Sequence, residues 1–581
     1  MKHTRLTAAI GLAVSLSSVA AFGQAYERVA PKALPENPPP PPPTDTPQFS
    51  PLPSSDQVVL QSLKGVVFVA GPEALHKEGL PNATGVSAPG LPLLADPAFA
   101  ARITPYIGGK ATMGDLNKIG ETVTAWYKEH DQPFVSVTIP PQNITAGTVQ
   151  VVVVPYRIGA VKPEGNEWFS SALLVRESGL KTGQTLTLGG VQEGLERLNG
   201  NPFRTVNTVF QPGEDTGVTD VILKTEDRLP LRLYATFDNA GTANLGRAEW
   251  GIGANWGNAF GLDQQVSYQF TRSFSARFNA HSVSWTAPLP WNDKLVIFGS
   301  YEEEKPAAGT AFDEDGNSGQ ASLRYVHPLP ALSLGQGIGL SHDIQIGFDF
   351  KSTNNNLEFG GIQVFASAVE VDQFPIVYEA TETDGWGQTA LENTLVLSPG
   401  GITGGNTDAA FRASDPRSGA AYVYDRIGLT RTTSLPAKFS LVTRVVGQLA
   451  DGNLQSSEAL GLGGIASVRG YYTDTAISSE GVLVSNEIRG PAVSLAKVLG
   501  QKLPVDDQLQ LGAFWDWGHV SQVDAVPDQL NSATLSSLGL DLHITLDRYA
   551  DFRIDTGWQL RSAPGTSDRS VFTDIAIVVG F

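Results

Sequence analysis

The stretch Gly461–Asp474, GLGGIASVRGYYTD, carries one cation, Arg469, among four glycines, with no acid before Asp474. In water such a guanidinium does little. Folded into an enclosed space it needs a carboxylate, because a buried charge without a partner is costly. One carboxylate of suitable setting is Asp516, in Phe514-Trp515-Asp516-Trp517-Gly518. There Leu509, Leu511, Ala513, Trp515 and Trp517 alternate with Gln510, Phe514, Asp516 and Gly518, so Asp516 sits on the polar face of a strand. Such residues could hold a loop by an ionic contact.

Other chemistries lack their residues. Gly108-Gly109-Lys110 is followed by Ala111 and has no glycine at the upstream position of a phosphate-binding loop. Neither HExxH nor GxSxG occurs, and the histidines are scattered. The chain has 0 cysteines, which removes disulfides, thiolate catalysis and Cys-ligated metals together. Asp313-Glu314-Asp315-Gly316-Asn317 is faintly like a calcium loop, but it lacks the glycine at the sixth position and the acid at the twelfth and predicts an acidic surface loop. A net charge of -19 argues against a nucleic-acid partner, since phosphate binding needs clustered Lys and Arg. Neither an enzyme nor a resident cofactor or metal is expected.

The elements that must position Arg469 and Asp516 begin after Leu229, where alternation takes over to the last residue. Leu231, Leu233, Ala235 and Phe237 oppose Arg232, Tyr234, Thr236 and Asp238. Near the end, Leu538, Leu540, Leu542, Ile544 and Leu546 oppose Gly539, Asp541, His543 and Thr545. An interior with charges of both signs and an exterior of Leu, Ile and Trp place lipid outside and water inside. Counting such segments gives about 16 strands, an even number as expected of a bacterial outer-membrane barrel. Their starts fall near residues 231, 247, 264, 277, 294, 320, 341, 371, 386, 420, 438, 481, 508, 535, 550 and 572, least sharply between 351 and 400. The Arg469 loop, within 451–479, then lies between the eleventh and twelfth strands and returns into the barrel from outside. On the strand after it, Glu487 and Arg489 share a face with Leu483 and Ser485, a face read as lumenal.

Upstream, residues 1–25 predict a secretory signal peptide: Lys2 and Arg5, an apolar stretch from Leu6 to Phe22, then Gly23-Gln24-Ala25. Residues 26–56 read as a Pro-rich linker. Two small α+β modules follow, at 57–156 and 157–228, each in the order strand, helices, strand, strand. In the first, Met113–Glu129 is an amphipathic helix with Thr112 and Asp115 spaced as a capping box. A module of this kind with a free sheet edge can add an extended polypeptide as a further strand.

Taken together, the chain resembles an outer-membrane transporter of two-partner secretion, the TpsB type. Val468-Arg469-Gly470-Tyr471 matches that family's VRGY loop, Phe514-x-Asp516-x-Gly518 its inner-wall motif, and Pro140-Pro141-Gln142 through Gly147 its first-module sequence. Ile575, Ile577, Val579 and the terminal Phe581 resemble a barrel-assembly signal read by the barrel-assembly machinery. The resemblance implies two POTRA-like periplasmic modules and a transmembrane antiparallel barrel, in a mainly β fold. It also implies an Arg469–Asp516 contact and ATP-independent translocation of an unfolded exoprotein with an N-terminal secretion domain. A barrel-assembly insertase is the alternative and a passive porin the second; the porin reading leaves 57–228 idle. Many members begin with a plug helix, but Tyr26–Leu34 is short and broken by Pro31, so the plug is expected to be missing or rudimentary.

Overall fold

A computed structural model describes residues 25–34, 55–307, 312–335, 338–359, 362–498, 500–501, 505–527 and 529–581. The expected signal peptide, apart from Ala25, and most of the expected Pro-rich linker lie outside these residues.

Alternation from Leu231 onward closes into one antiparallel barrel of sixteen strands. They are β1 Leu231–Asp238, β2 Glu249–Ala259, β3 Gln264–Ser273, β4 Phe278–Pro288, β5 Lys294–Glu304, β6 Phe312–Gly335, β7 Ile338–Phe359 and β8 Ile362–Asp384. The circuit continues with β9 Gly387–Pro399, β10 Ala421–Ser434, β11 Ser440–Ala450, β12 Glu480–Arg489, β13 Asp507–Ser521, β14 Ser532–Leu546, β15 Ala550–Gln559 and β16 Val571–Gly580. Pairing of β1 with β16 closes it, from Tyr234 opposite Gly580 to Asp238 opposite Ala576. Closure removes the sheet edge that lipid could not hydrate.

Facing follows the pleat. Leu231, Leu233, Leu323, Leu538, Leu540 and Trp558 are exposed on the outer surface, while Arg232, Gln320, Lys351, Asp516 and Asp555 are buried within. That inversion of a soluble protein's pattern is the mark of a membrane barrel. No helix among the described residues is long and apolar enough to cross a membrane.

Three strands depart from the sequence reading. β6, β7 and β8 start at 312, 338 and 362 rather than near 320, 341 and 371, and run for 24, 22 and 23 residues. About 9–11 residues span the hydrocarbon, so roughly half of each strand continues past it. The expected acidic surface loop at 313–317 is therefore backbone of β6. Polar runs such as Thr353-Asn354-Asn355-Asn356 carry no lipid-facing alternation, which is why the pattern stopped short there.

A second compact unit holds the described residues 55–229. Its first module is a four-stranded sheet in the order Gly85–Ser87, Gly65–Val69, Thr148–Pro155, Val135–Thr138. Helix Met113–Glu129 buries Leu116, Ile119, Val123 and Trp126 in the module's core with Phe68 and Phe99. Both halves of its capping box form: Asp115 N–H donates to Thr112 Oγ1 at 3.1 Å, and Thr112 N–H donates to Asp115 at 3.0 Å. The second module orders its strands Arg157–Glu164, Val218–Asp227, Arg204–Pro212, with helices Ser171–Ser178 and Leu188–Asn199. Leu173, Leu174, Val191, Leu195 and Leu198 are the buried apolar residues of those helices.

Candidate functional site

The connection between β11 and β12 turns into the barrel. It forms its own small hairpin, Leu460–Leu462 with Ala476–Ser478, and carries Arg469 at the tip. Leu460, Leu462, Val468, Tyr471 and Ala476 are buried in one cluster with Val446, Leu483, Val520, Ala533 and Leu535 of the wall. An apolar patch on the inner wall thus seats an apolar loop.

Arg469 is 3% exposed and Asp516 is 0% exposed. The guanidinium meets the carboxylate side-on: Nε donates to Asp516 Oδ2 at 2.8 Å and Nη2 donates to Oδ1 at 3.0 Å. The Arg469 backbone N–H adds a third contact to Oδ2 at 3.1 Å. Nη1 donates to Glu487 Oε2 at 2.5 Å, Nη2 reaches Ser485 Oγ at 3.2 Å, and Asp555 stands 3.8 Å away. Phe514 lies beneath, with Cζ 3.5 Å from its ring centroid. Planar donors, two carboxylates and an aromatic face are a combination that only arginine satisfies; lysine would keep the charge and lose the fork.

The other motif positions follow from shape. A Cβ on Gly518 would stand 2.7 Å from Leu462 of the loop, so the third inner-wall position must be bare. Gly470 and Gly557 meet back to back: a Cβ on Gly557 would lie 2.6 Å from the Gly470 Cα, and Gly470 itself has φ +87. Val468 is fully buried in the apolar cluster. The Tyr471 hydroxyl lies 2.8 Å from the Ser536 carbonyl oxygen and 2.6 Å from that of Arg561. Gln559 Nε2 donates to the Gly470 carbonyl at 2.8 Å. Phe581 stands apart from this site, at the β1–β16 seam, with its backbone bonded to Leu233 and its side chain exposed.

The structure therefore brings Val468, Arg469, Gly470, Tyr471, Phe514, Asp516 and Gly518 together and leaves Phe581 elsewhere. Sequence reasoning put Glu487 and Ser485 on the lumenal face without pairing them to Arg469. The missing fact was cross-strand register, which sets Ser485 opposite Asp516 and Glu487 opposite Phe514. Asp555 and Gln559 of β15 were read only as part of the polar face opposing Phe552, Ile554, Trp558 and Leu560, and Gly557 went unnoticed.

The N-terminal segment also enters the barrel. Among the described residues Ala25–Val29 is helical, and the helix ends two residues before Pro31. Tyr26 packs 4.7 Å from Phe298 and Arg28 lies 4.1 Å over Phe278, with its Nη2 3.6 Å from Glu249. The Val29 carbonyl accepts from Ser282 Oγ at 2.6 Å and Gln269 Nε2 at 3.3 Å. The described part of this segment lies on the wall of β2 to β5.

Comparison with known proteins agrees with this architecture. Residues 217–329 and 403–542 match the model of the haemolysin secretion/activation protein ShlB/FhaC/HecB, and residues 82–155 match the POTRA domain, ShlB-type. The heme/hemopexin transporter protein HuxB of Haemophilus influenzae (strain 86-028NP) is 20% identical over 456 residues, covering 75% of this chain and 76% of that protein. The outer membrane transporter CdiB of Dickeya dadantii (strain 3937) is 22% identical over 462 residues, 78% of each. Among solved structures, CdiB from Escherichia coli superposes with a TM-score of 0.72 at 17% identity, covering 92% of this chain and 94% of that one. CdiB from Acinetobacter baumannii gives 0.60 at 17%, covering 93% and 95%. The chain belongs to the ShlB/FhaC/HecB family of haemolysin secretion/activation proteins and is an outer-membrane transporter of the two-partner secretion type, with POTRA and barrel parts.

Proposed function

We propose that this chain captures an unfolded exoprotein in the periplasm through its POTRA modules and conducts it through the barrel to the cell surface, with the Arg469 loop as the movable occluder. The observation that carries this reading is the Arg469 site: a water-filled porin has no need to hold a buried arginine across three wall strands. The site is held by hydrogen bonds and ion contacts that reform, so the tip can leave and return without covalent change. Free edges at Gly85–Ser87 and Val135–Thr138 of the first module suit a strand added from the exoprotein's N-terminal secretion domain. Passage draws on no nucleotide, since no nucleotide-binding loop is present in the sequence. Folding of the exoprotein outside makes the transfer directional.

The remaining partners follow from the surface. Outer-membrane lipid covers the Leu, Ile and Trp band, and the barrel-assembly machinery reads the last strand through Phe581, whose side chain is 81% exposed. Comparing the culture medium of a strain lacking this chain with that of its parent tests the reading. One large exoprotein should vanish and return on complementation. Arg469→Ala should fail to restore it although the barrel inserts. An unchanged medium accompanied by loss of other outer-membrane barrels would favour an insertase instead.

A further inference from the structure

Arg469 is not the loop's only ionic anchor. Nine residues without regular structure, 451–459, join β11 to the loop hairpin, whereas the returning limb passes from Ser478 into β12 at Glu480. Near the end of that irregular limb stands Glu458, 0% exposed. Lys351 Nζ of β7, itself buried, donates to Glu458 Oε1 at 2.7 Å. Gln373 Nε2 of β8 and the Tyr424 hydroxyl of β10 both donate to Oε2 at 2.9 Å. The Glu458 backbone carbonyl accepts from Arg426 Nη2 at 3.1 Å and Gln448 Nε2 at 3.0 Å. Side chain and backbone of one residue are thus held by β7, β8, β10 and β11, while Arg469 is held by β12, β13 and β15.

We propose that Glu458 is a positioning residue that pins the stem of the loop inside the barrel through Lys351, so that the Arg469 tip can release while the loop stays tethered in the lumen. This rests on the occluder reading above and adds a division of labour to it. The stem pair is as buried as the tip pair, and among the described residues the hydrogen bonds and ion pairs of Glu458 to the barrel wall go to Lys351, Gln373, Tyr424, Arg426 and Gln448 while those of Arg469 go to Ser485, Glu487, Asp516 and Asp555. The two anchors can therefore fail separately. A tip that swings about a fixed stem opens a path beside the loop; a loop freed at the stem can leave the barrel.

Arg469 supplies the readout, because it is the only Lys or Arg between 451 and 479 and thus the only tryptic site in the loop. Intact cells producing full-length variants are treated with trypsin, and the peptide beginning at Gly470 is quantified by mass spectrometry. A heat-modifiable gel band confirms that each barrel is folded. Wild type and Asp516→Asn, whose stem is intact, should yield little of this peptide. Glu458→Lys, which sets two cations face to face, should raise it by about tenfold or more. Lys351→Glu combined with Glu458→Lys restores opposite charges and should return it towards wild type. Should Glu458→Lys not assemble, Glu458→Gln, which keeps the shape and loses the charge, decides by the same measure. Folded Glu458 variants as resistant as wild type would overturn the proposal, as would Asp516→Asn exposing Arg469 as much as Glu458→Lys does. Secretion of the exoprotein, assayed in parallel, reports on conduction alone.

Discussion

Asp516→Asn isolates the tip contact with the least change of shape. Asparagine at that position retains one oxygen, which can still accept from the Arg469 backbone N–H and Nε, both now bound to Oδ2. Its amide nitrogen replaces Oδ1, which accepts from Arg469 Nη2 at 3.0 Å and Ser485 Oγ at 2.6 Å. Donor then faces donor. Breaking a buried ion pair costs about 3–5 kcal/mol, and because Glu487 remains as counter-charge the lower end, about 3 kcal/mol, applies. At 1.4 kcal/mol per decade, the released tip should become about 150-fold more populated. In planar bilayers this reads as a rise in the fraction of time spent at high conductance. Ser485→Ala removes one hydrogen bond from the same carboxylate and should cost about 1 kcal/mol, a change of about fivefold. Equal open fractions in wild type and Asp516→Asn, or a larger effect of Ser485→Ala, would refute the reasoning.

Other outcomes follow from the same contacts. Gly470→Ala forces a side chain against Gly557 at a backbone φ of +87, and should cost about 1–3 kcal/mol in barrel stability, seen as a lower temperature for the heat-modifiable gel shift. Deleting residues 26–34 removes the short helix from the inner wall of β2 to β5 and should raise single-channel conductance; unchanged conductance would show that the loop alone occludes. In the first POTRA module, Thr112→Ala should cost about 1 kcal/mol at the helix N-terminus, read as faster hydrogen exchange of the amides of 113–129 in the whole protein. The Thr112 backbone N–H and hydroxyl hold the Asp115 carboxylate below its ordinary range. A depressed folded-state value means this contribution is complete above the unfolded value of about 3.9 and fades as pH falls through the folded one. Protection at 113–129, taken relative to the intrinsic exchange rate at each pH, should therefore fall in acid for wild type, and the gap to Thr112→Ala should narrow.

The barrel was legible because the pleat imposes a period of two on residues that meet lipid, and lipid tolerates little else. Strand number and facing came from that alone, as with Leu538 and Leu540 outside and Asp541 inside. What alternation does not encode is what happens beyond the hydrocarbon, hence the unread upper halves of β6 to β8. It also leaves register open, and register is what sets Glu487 and Ser485 around Arg469. The loop's inward course was suggested by its glycines and its lone cation, but the stem contact at Glu458 was not, since Lys351 lies 107 residues away and carries no motif. Pro31 marks where the N-terminal helix has ended; nothing in Tyr26–Leu34 showed that the segment would line the barrel wall.

The passage of polypeptide through this lumen can be observed directly. An exoprotein fused to a tightly folded C-terminal domain stalls in transit, and a photo-crosslinking residue can be placed at Gln320, buried on the inner face of β6, or at Leu323, 42% exposed on its outer face. Crosslinks to the stalled exoprotein are expected from position 320 and not from 323. Crosslinks at neither position, or equally at both, would contradict conduction through the barrel.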